Sequence, residues 1–167
     1  MELFQYLDII EEKLRCSFDI QRNYSINDYQ YDMYAEYHLR NEQYVLVKKA
    51  VVFAFENNEY SLIKHFENLN IDNLKEIIDT LIQSVELIVK PSREHMSSIV
   101  TLVIVTDNIF NEDIDEITKT VTRFNYNKGF AFGFKGWADI RLVLVSLNEG
   151  LIATNKKGKE VIEVYGF

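Results

Sequence analysis

The position of the glycines constrains this chain more than any other sequence feature. All six glycines lie after residue 128, and three of them fall within residues 127–137 (NKGFAFGFKGW). Glycine adopts positive φ at the least cost, so the first three-quarters of the chain must turn on asparagine and aspartate and otherwise form regular helices and strands. A specialised loop is therefore expected within residues 127–137.

The first forty residues predict a helix followed by a β-hairpin. Residues 2–14 carry apolar side chains at helical spacing. Residues 16–26 and 29–39 then alternate apolar and polar side chains, which is typical of strands with one buried face. Asn27 and Asp28 both tolerate positive φ, so they predict the two-residue turn between these strands.

The next segment predicts two more strands. Residues 44–55 are apolar at both odd and even positions except for two lysines. This pattern is typical of a central strand that is covered on both faces. Asn57 and Asn58 then predict a turn into a fourth strand at residues 60–66. The front half is thus predicted to be a four-stranded antiparallel meander.

The back half changes to alternating helices and strands. A helical stripe runs from residue 71 to 88, and short buried strands are predicted at residues 99–106 and 140–147. A helix follows Asn111 between those two strands, which predicts a crossover connection. Two short strands around residues 155–158 predict a C-terminal hairpin.

Together these elements predict a mixed α/β (α+β) fold. An N-terminal helix and a four-stranded antiparallel meander precede helix-strand-helix-strand and a C-terminal hairpin, forming one mixed sheet flanked by helices. The length of 167 residues fits one domain, and no proline- or serine-rich linker divides it. Residues 1–167 are therefore predicted to form a single globular domain.

Charge and motif composition predict no nucleic-acid or membrane partner. The chain has 18 basic and 26 acidic side chains, a formal net charge of −8, which repels polyphosphate. Residues 128–132 match the first five positions of the RNA-recognition signature K/R-G-F/Y-G/A-F, but Gly133 and Lys135 break its continuation. No apolar run approaches the ~20 residues that span a bilayer. A cytoplasmic protein is expected.

Cysteine and histidine usage predicts no metal site and no cofactor. Cys16 is the only cysteine, so neither an intrachain disulfide nor a cysteine zinc cluster can form. Its place on the apolar face of a predicted strand indicates a small core side chain. His65 and His95 lack partners at metal-ligand spacing and are predicted to be surface residues.

Three polar residues of the second predicted strand form a candidate polar site. Asp32, Glu36 and His38 share one face, but same-face neighbours are ~6.7 Å apart, so Asp32 and His38 lie roughly 20 Å apart and cannot share an ion. Only Glu36 and His38 could share an ion, with Asp19 or Gln21 from the adjacent strand as a further ligand. A solvated sheet face is the competing interpretation, and burial of His38 beneath a lid would favour a site.

The glycine-rich segment is the candidate binding loop. Its candidate contact residues are Lys128, Phe130, Phe132, Phe134 and Trp137. In an extended segment the three phenylalanines would lie on one side, which favours burial in the core, and Trp137 would lie on the other. We therefore expect Trp137 to be exposed, and the segment to contribute to any partner contact because exposed aromatic residues are frequent binding hot spots.

The predicted element order resembles the core of restriction-endonuclease-like nucleases. Those enzymes hold a metal with an aspartate on one core strand and Asp/Glu-x-Lys on the next. Asp32 could be the metal-binding aspartate of the first core strand. In residues 45–52 (VLVKKAVV) no acid precedes either lysine by two positions, and Leu62 stands two positions before Lys64. The resemblance therefore implies a nuclease-like fold that lacks the catalytic pattern.

Three segments also resemble short uncharacterised proteins of low-GC Gram-positive bacteria, namely residues 31–37 (YDMYAEY), 56–60 (ENNEY) and 155–159 (NKKGK). That resemblance implies a bacterial protein and brings no activity with it. The leading functional prediction is a non-enzymatic binding or regulatory domain with an unknown protein or small-molecule partner. Two alternatives stay open, a metal-dependent hydrolase or nuclease using Asp32, Glu36 and His38, and a self-associating structural protein that forms homo-oligomers.

Overall fold

A computed structural model describes the backbone of residues 1–44 and 51–166 and the side chains of residues 1–39 and 56–166. The α-helices of this part are α1 (Leu3–Leu14), α2 (Ile71–Val89), α3 (Ile114–Arg123) and α4 (Ile162–Tyr165). The strands are β1 (Asp19–Ile26), β2 (Tyr29–Tyr44), β3 (Val51–Leu69), β4 (His95–Ile109), β5 (Asn127–Gly129), β6 (Trp137–Ser146) and β7 (Ile152–Thr154). The predicted α+β class is confirmed.

The seven strands form one mixed sheet in the order β1-β2-β3-β4-β6-β5, with β7 also paired to β6. β1, β2 and β3 are antiparallel, whereas β3, β4 and β6 are mutually parallel. Parallel neighbours require crossover connections, and α2 and α3 supply them. The predicted mixed sheet with a strand-helix-strand unit is therefore present.

Helices cover both faces of the sheet. On one face α2 and α3 pack on a core that includes the buried side chains of Leu74, Ile77, Leu81, Leu102 and Leu142. On the other face α1 and the C-terminal segment pack on a second core. The helix predicted from residues 71–88 matches α2, because its apolar stripe is long and Asn70 caps its first turn by accepting a hydrogen bond from the Asn73 N–H at 2.8 Å.

The predicted turn at Asn57 and Asn58 is wrong, because β3 continues through both residues. Each asparagine side chain bonds a neighbouring strand: Asn58 Oδ1 lies 2.8 Å from His38 Nδ1, and Asn57 Oδ1 accepts a 2.7 Å bond from Ser97 Oγ. Asparagine favours a turn when its side chain bonds to nearby backbone groups. These two side chains bond to neighbouring strands instead, so they stabilise the sheet. The described antiparallel meander has three strands, and the side chains of the strand predicted at residues 44–55 lie outside the described residues.

The predicted C-terminal hairpin around residues 155–158 is also wrong. β7 pairs with β6 instead, and the chain after it forms a 3₁₀ turn at Gly158–Val161 followed by α4. Asn155 directly follows β7, and its buried side chain bonds backbone groups of Ile140, Leu142 and Gly158. Asn155 therefore stabilises the edge of the sheet through its side chain and does not form a hairpin turn.

The strict alternation predicted for the first two strands breaks at Asn23 and Asp32. Asn23 has φ 53°, and Tyr31 and Tyr34 both join the core under α2, although they are three residues apart. Pairing of β2 with β3 ends at Met33, and the Asp32 carboxylate then accepts the His65 backbone N–H at 2.7 Å. Asp32 thus satisfies a backbone donor where the strand ladder stops.

Two further expectations are corrected. Cys16 is exposed in the turn after α1, because β1 begins only at Asp19. The side chain of His65 is 14% exposed rather than a free surface group, and its Nε2 lies 3.1 Å from Asp107 Oδ1.

Candidate functional site

A concavity lies between β1, β2 and β3 and the carboxyl end of α2. This tyrosine groove has a volume of about 640 Å³. Residues 87–90 close one side of the groove. Its lining includes the aromatic, acidic, imidazole and amide side chains of Tyr24, Tyr34, Glu36, His38, Glu56, Asn58 and Tyr60. A groove of this size can accept a small organic molecule.

Glu36 and His38 meet in this groove, as their shared strand face predicts. His38 Nε2 lies 3.4 Å from Glu36 Oε2, and the same oxygen accepts a 2.7 Å hydrogen bond from the Tyr34 hydroxyl. Asn58 on β3, rather than Asp19 or Gln21, provides the cross-strand contact to His38. The side chains of His38 and Glu36 are 52% and 30% exposed, so His38 is not buried beneath a lid, and both side chains are accessible from the groove.

The surroundings of Tyr34 and Tyr60 in the groove favour their protonated forms. Burial raises the pKa of Tyr34, and its hydrogen bond to Glu36 raises it further. Burial, followed by the charges of Glu36 and Glu56, raises the pKa of Tyr60 to about 12. Tyr24 stacks on Tyr34 with ring centroids 4.2 Å apart and an interplanar angle of 14°. The groove therefore offers flat rings and neutral hydroxyls beside its carboxylates.

One wall of the groove is the negative end of α2. The helix stops at Val89, Lys90 adopts φ 46°, and the next residue is Pro91. Proline has no backbone N–H, so the carbonyl of Leu87 lacks the usual donor four residues later. The helix dipole and such carbonyls favour a positive charge at this wall.

Asp32 does not belong to this site. It lies on the opposite side of the sheet, in a second groove of about 450 Å³ beside α1 that Asp8, Glu11 and Arg22 also line. Arg22 pairs there with both acids. The structure therefore brings Glu36 and His38 together and separates Asp32 from them.

The candidate binding loop is not extended, so the expectation that its three phenylalanines lie together in the core is wrong. Phe130 is buried, whereas Phe132 and Phe134 are 103% and 87% exposed. Ala131, Phe132 and Gly133 have consecutive positive φ values of 48°, 57° and 90°. Such a conformation costs a non-glycine residue roughly 1–3 kcal/mol and persists only where neighbours hold it.

Trp137 and Lys128 lie at the two ends of this segment. Trp137 is 41% exposed, which confirms the expected exposure. Lys128 pairs with Glu86 near the end of α2 at 2.8 Å. We call residues 130–136 the aromatic loop. Gly136 fixes its end against β4, because a Cβ at this residue would lie 2.1 Å from the Met96 carbonyl oxygen.

The aromatic loop does not line the tyrosine groove, and a small buried polar network on β4 holds it. Ser98 Oγ lies 2.8 Å from His95 Nε2. His95 Nδ1 lies 2.5 Å from the Lys135 carbonyl oxygen, and the imidazole meets Phe130 edge-on. The loop is thus anchored to β4 through His95.

The buried polar network was missed by sequence reasoning. His95 is only 4% exposed, which makes its assignment as a surface residue wrong, and Ser98 is 1% exposed. A register shift in the β3–β4 pairing beside His95 lets residues three apart share a face. Strict strand alternation gives no signal for that arrangement.

The described residues contain neither a metal-binding cluster nor a membrane-spanning helix. No group of three or more His, Cys, Asp or Glu side chains within them could hold a metal ion. The helices of the same part include none that is long and apolar enough to cross a bilayer.

A protein-family model with the description "Domain of unknown function (DUF8052)" matches residues 3–167. No curated protein and no solved structure matches the chain significantly.

Proposed function

Because the chain belongs to the DUF8052 family of domains of unknown function, we propose from the tyrosine groove that it is a non-enzymatic binding domain for a small, positively charged organic molecule. The observation that carries this proposal is that one groove unites two carboxylates, three tyrosines and the negative end of α2. We place the protein in the bacterial cytoplasm, where an exposed single cysteine is common.

The charge balance of the groove supports a cationic ligand. With histidine counted as neutral, Glu36 and Glu56 contribute two negative charges, and Lys90 contributes one positive charge. The dipole of α2 adds to the negative side, and the net charge of −8 attracts cations to the whole molecule.

The rings of the groove support an organic rather than a simple inorganic cation. The stacked pair Tyr24 and Tyr34 gives an aromatic surface beside Glu36. Aromatic faces attract ammonium groups and also pack against apolar rings. Tyrosine and asparagine side chains add hydrogen-bonding groups that can orient such a molecule.

Benzylamine is a direct probe, because it combines one ammonium group with one ring. We expect it to raise the melting temperature of the wild-type protein, since a ligand that binds only the folded state stabilises that state. Benzyl alcohol and benzoate have the same ring without the positive charge and should give smaller shifts.

Glu36→Gln tests the residue that we expect to meet the ammonium group. The loss of one charge-assisted hydrogen bond should weaken benzylamine binding about tenfold in calorimetric titrations. Glu11→Gln is the matched control, because it removes the same charge beside the other groove. Equal affinity in wild type and Glu36→Gln would contradict the assignment, as would stronger binding of benzoate than of benzylamine.

We further propose that the protein does not cleave nucleic acids, despite the resemblance in element order to nucleases. Asp32 is occupied by the His65 backbone N–H and lies away from Glu36 and His38. We expect no Mg²⁺- or Mn²⁺-dependent cleavage of plasmid or single-stranded DNA and RNA. Cleavage that Asp32→Asn abolishes would overturn this prediction and favour the metal-dependent alternative.

Self-association stays a separate prediction. Phe132 and Phe134, which are more exposed than any other large apolar side chain of the described residues, would form such a contact. Sedimentation of the wild-type protein over a range of concentrations decides whether homo-oligomers form.

A further inference from the structure

The aromatic loop presents two phenylalanine side chains on a hydrogen-bonded backbone. Phe132 and Phe134 are almost fully exposed. Below them the carbonyl of the buried Phe130 accepts hydrogen bonds from the backbone N–H groups of Gly133 at 2.9 Å and Lys135 at 3.1 Å. A loop that is already held in one shape loses little conformational freedom when it binds, so these two side chains are well placed to form a contact.

The groove beside α1, which we call the α1 groove, can accept such a loop. Its apolar lining consists of Leu3, Phe4 and Leu7. Three carboxylates and one guanidinium also line it, which leaves a net charge of −2, and they belong to Asp8, Glu11, Asp32 and Arg22. A cavity of about 150 Å³ can hold benzene, so a groove of about 450 Å³ has room for two phenyl rings.

The aromatic loop and the α1 groove carry opposite charges. Lys135 is exposed and directly follows Phe134, so a docked loop brings an ammonium group to the carboxylates of the groove. Opposite charges across a contact steer the encounter and fix its orientation. The net charge of −8 on each copy opposes association, so we expect a weak and reversible contact.

The aromatic loop is too far from the α1 groove of its own chain to enter it. The loop connects β5 to β6 at one edge of the sheet, whereas Arg22 and Asn23 of β1 line the groove at the other edge. Five strand spacings separate β5 from β1, which is roughly 24 Å at ~4.8 Å per spacing. A contact between the two surfaces therefore requires two copies of the chain.

We propose that the aromatic loop of one copy docks into the α1 groove of a second copy, with Phe132 and Phe134 inside the groove and Lys135 beside its carboxylates. Because the two surfaces differ, the contact is head-to-tail, and its repetition produces a ring or an open chain of copies rather than a symmetric dimer. The contact does not use the tyrosine groove, so it is independent of the ligand proposed for that groove.

Sedimentation velocity tests each surface by itself. Wild type should form species larger than the monomer as its concentration rises toward about 1 mM. Phe132→Asn and Phe4→Ser should each raise the dissociation constant at least tenfold, because exposed aromatic side chains act as binding hot spots. Asparagine tolerates the positive φ of residue 132, so the loop should keep its shape. Phe110→Ser is the matched control, because Phe110 is 46% exposed but lies outside both surfaces, and it should associate as wild type does.

A mixture of the two defective variants tests the head-to-tail arrangement. Phe4→Ser keeps an intact loop and Phe132→Asn keeps an intact groove, so together they should form a complex of one copy of each that grows no further. Lys135→Glu in the otherwise wild-type chain should weaken association about tenfold, and it changes only an exposed side chain. A wild type that stays monomeric at every concentration would overturn the proposal. Association that survives both Phe132→Asn and Phe4→Ser, or a mixture of the two that stays monomeric, would overturn it as well.

Discussion

Replacing Asn155 with alanine is expected to lower the free energy of unfolding by about 3–5 kcal/mol, because several buried backbone groups would lose their partners at once. The Asn155 side chain is 2% exposed. Its Oδ1 accepts from the backbone N–H groups of Leu142 at 3.1 Å and Gly158 at 2.7 Å, and its Nδ2 donates to the Ile140 carbonyl at 3.0 Å.

The position of these bonds explains why the effect should be large. β5 pairs with β6 over residues 137–139, and β7 pairs with it over residues 143–145. The Asn155 side chain fills the gap between these two short strands. Water has little access to the groups that alanine would leave unpaired, so their loss is not offset by hydration.

Urea unfolding monitored by circular dichroism measures the loss. Asn148→Ala is the matched control, because Asn148 is exposed and its side chain bonds only Asn108. Its unfolding free energy should stay within about 0.5 kcal/mol of wild type. A loss below about 1 kcal/mol for Asn155→Ala would show that the edge of β6 does not depend on this side chain.

Leu81→Ala is expected to cost about 2–5 kcal/mol of stability, through lost burial and the cavity left behind. Leu81 is 1% exposed on the face of α2 that packs on the sheet, and Ile78→Ala one turn earlier should act in the same way. Both variants should still unfold in one cooperative transition, as expected for a single domain.

Leu87→Ala is the control on the same helix. Leu87 is 50% exposed, so its truncation should cost less than about 1 kcal/mol. Losses below about half a kilocalorie per mole for both Ile78→Ala and Leu81→Ala would mean that the predicted stripe of α2 is not part of the core.

The fold class was predictable where the signal was long and repeated. The stripe of α2 extends over five turns, so a few irregular positions do not obscure its period. The turn at Asn27 and the hairpin of β1 and β2 were likewise local properties of the sequence. Each of these elements follows from contacts between residues that are close in the chain or on one face.

Errors arose where distant residues decided the local conformation. Asn57 and Asn58 favour a turn by themselves, but bonds to Ser97 and His38 stabilise them within β3. Phe132 and Phe134 were expected to alternate into the core, but positive φ at Phe132 turns the chain instead. In both places, interactions with neighbouring strands override the backbone conformation that the local sequence favours.

The candidate site was only half predictable for the same reason. Glu36 and His38 are two residues apart on one strand, so their proximity follows from strand geometry. Ser98 and His95 bond each other, although they are three residues apart on β4, because β4 pairs in parallel with β3 and the register shifts beside His95. Neither the pairing nor the shift leaves a local pattern in the sequence.

Nuclear magnetic resonance on uniformly ¹⁵N-labelled protein can map directly where benzylamine binds. We expect the largest amide shifts around Tyr34, Glu36 and Asn58 and at the end of α2, and we expect Glu36→Gln to reduce them. Shifts centred instead on Asp8 and Glu11 in the groove beside α1, or spread evenly over acidic side chains, would contradict the claim that the tyrosine groove is the binding site.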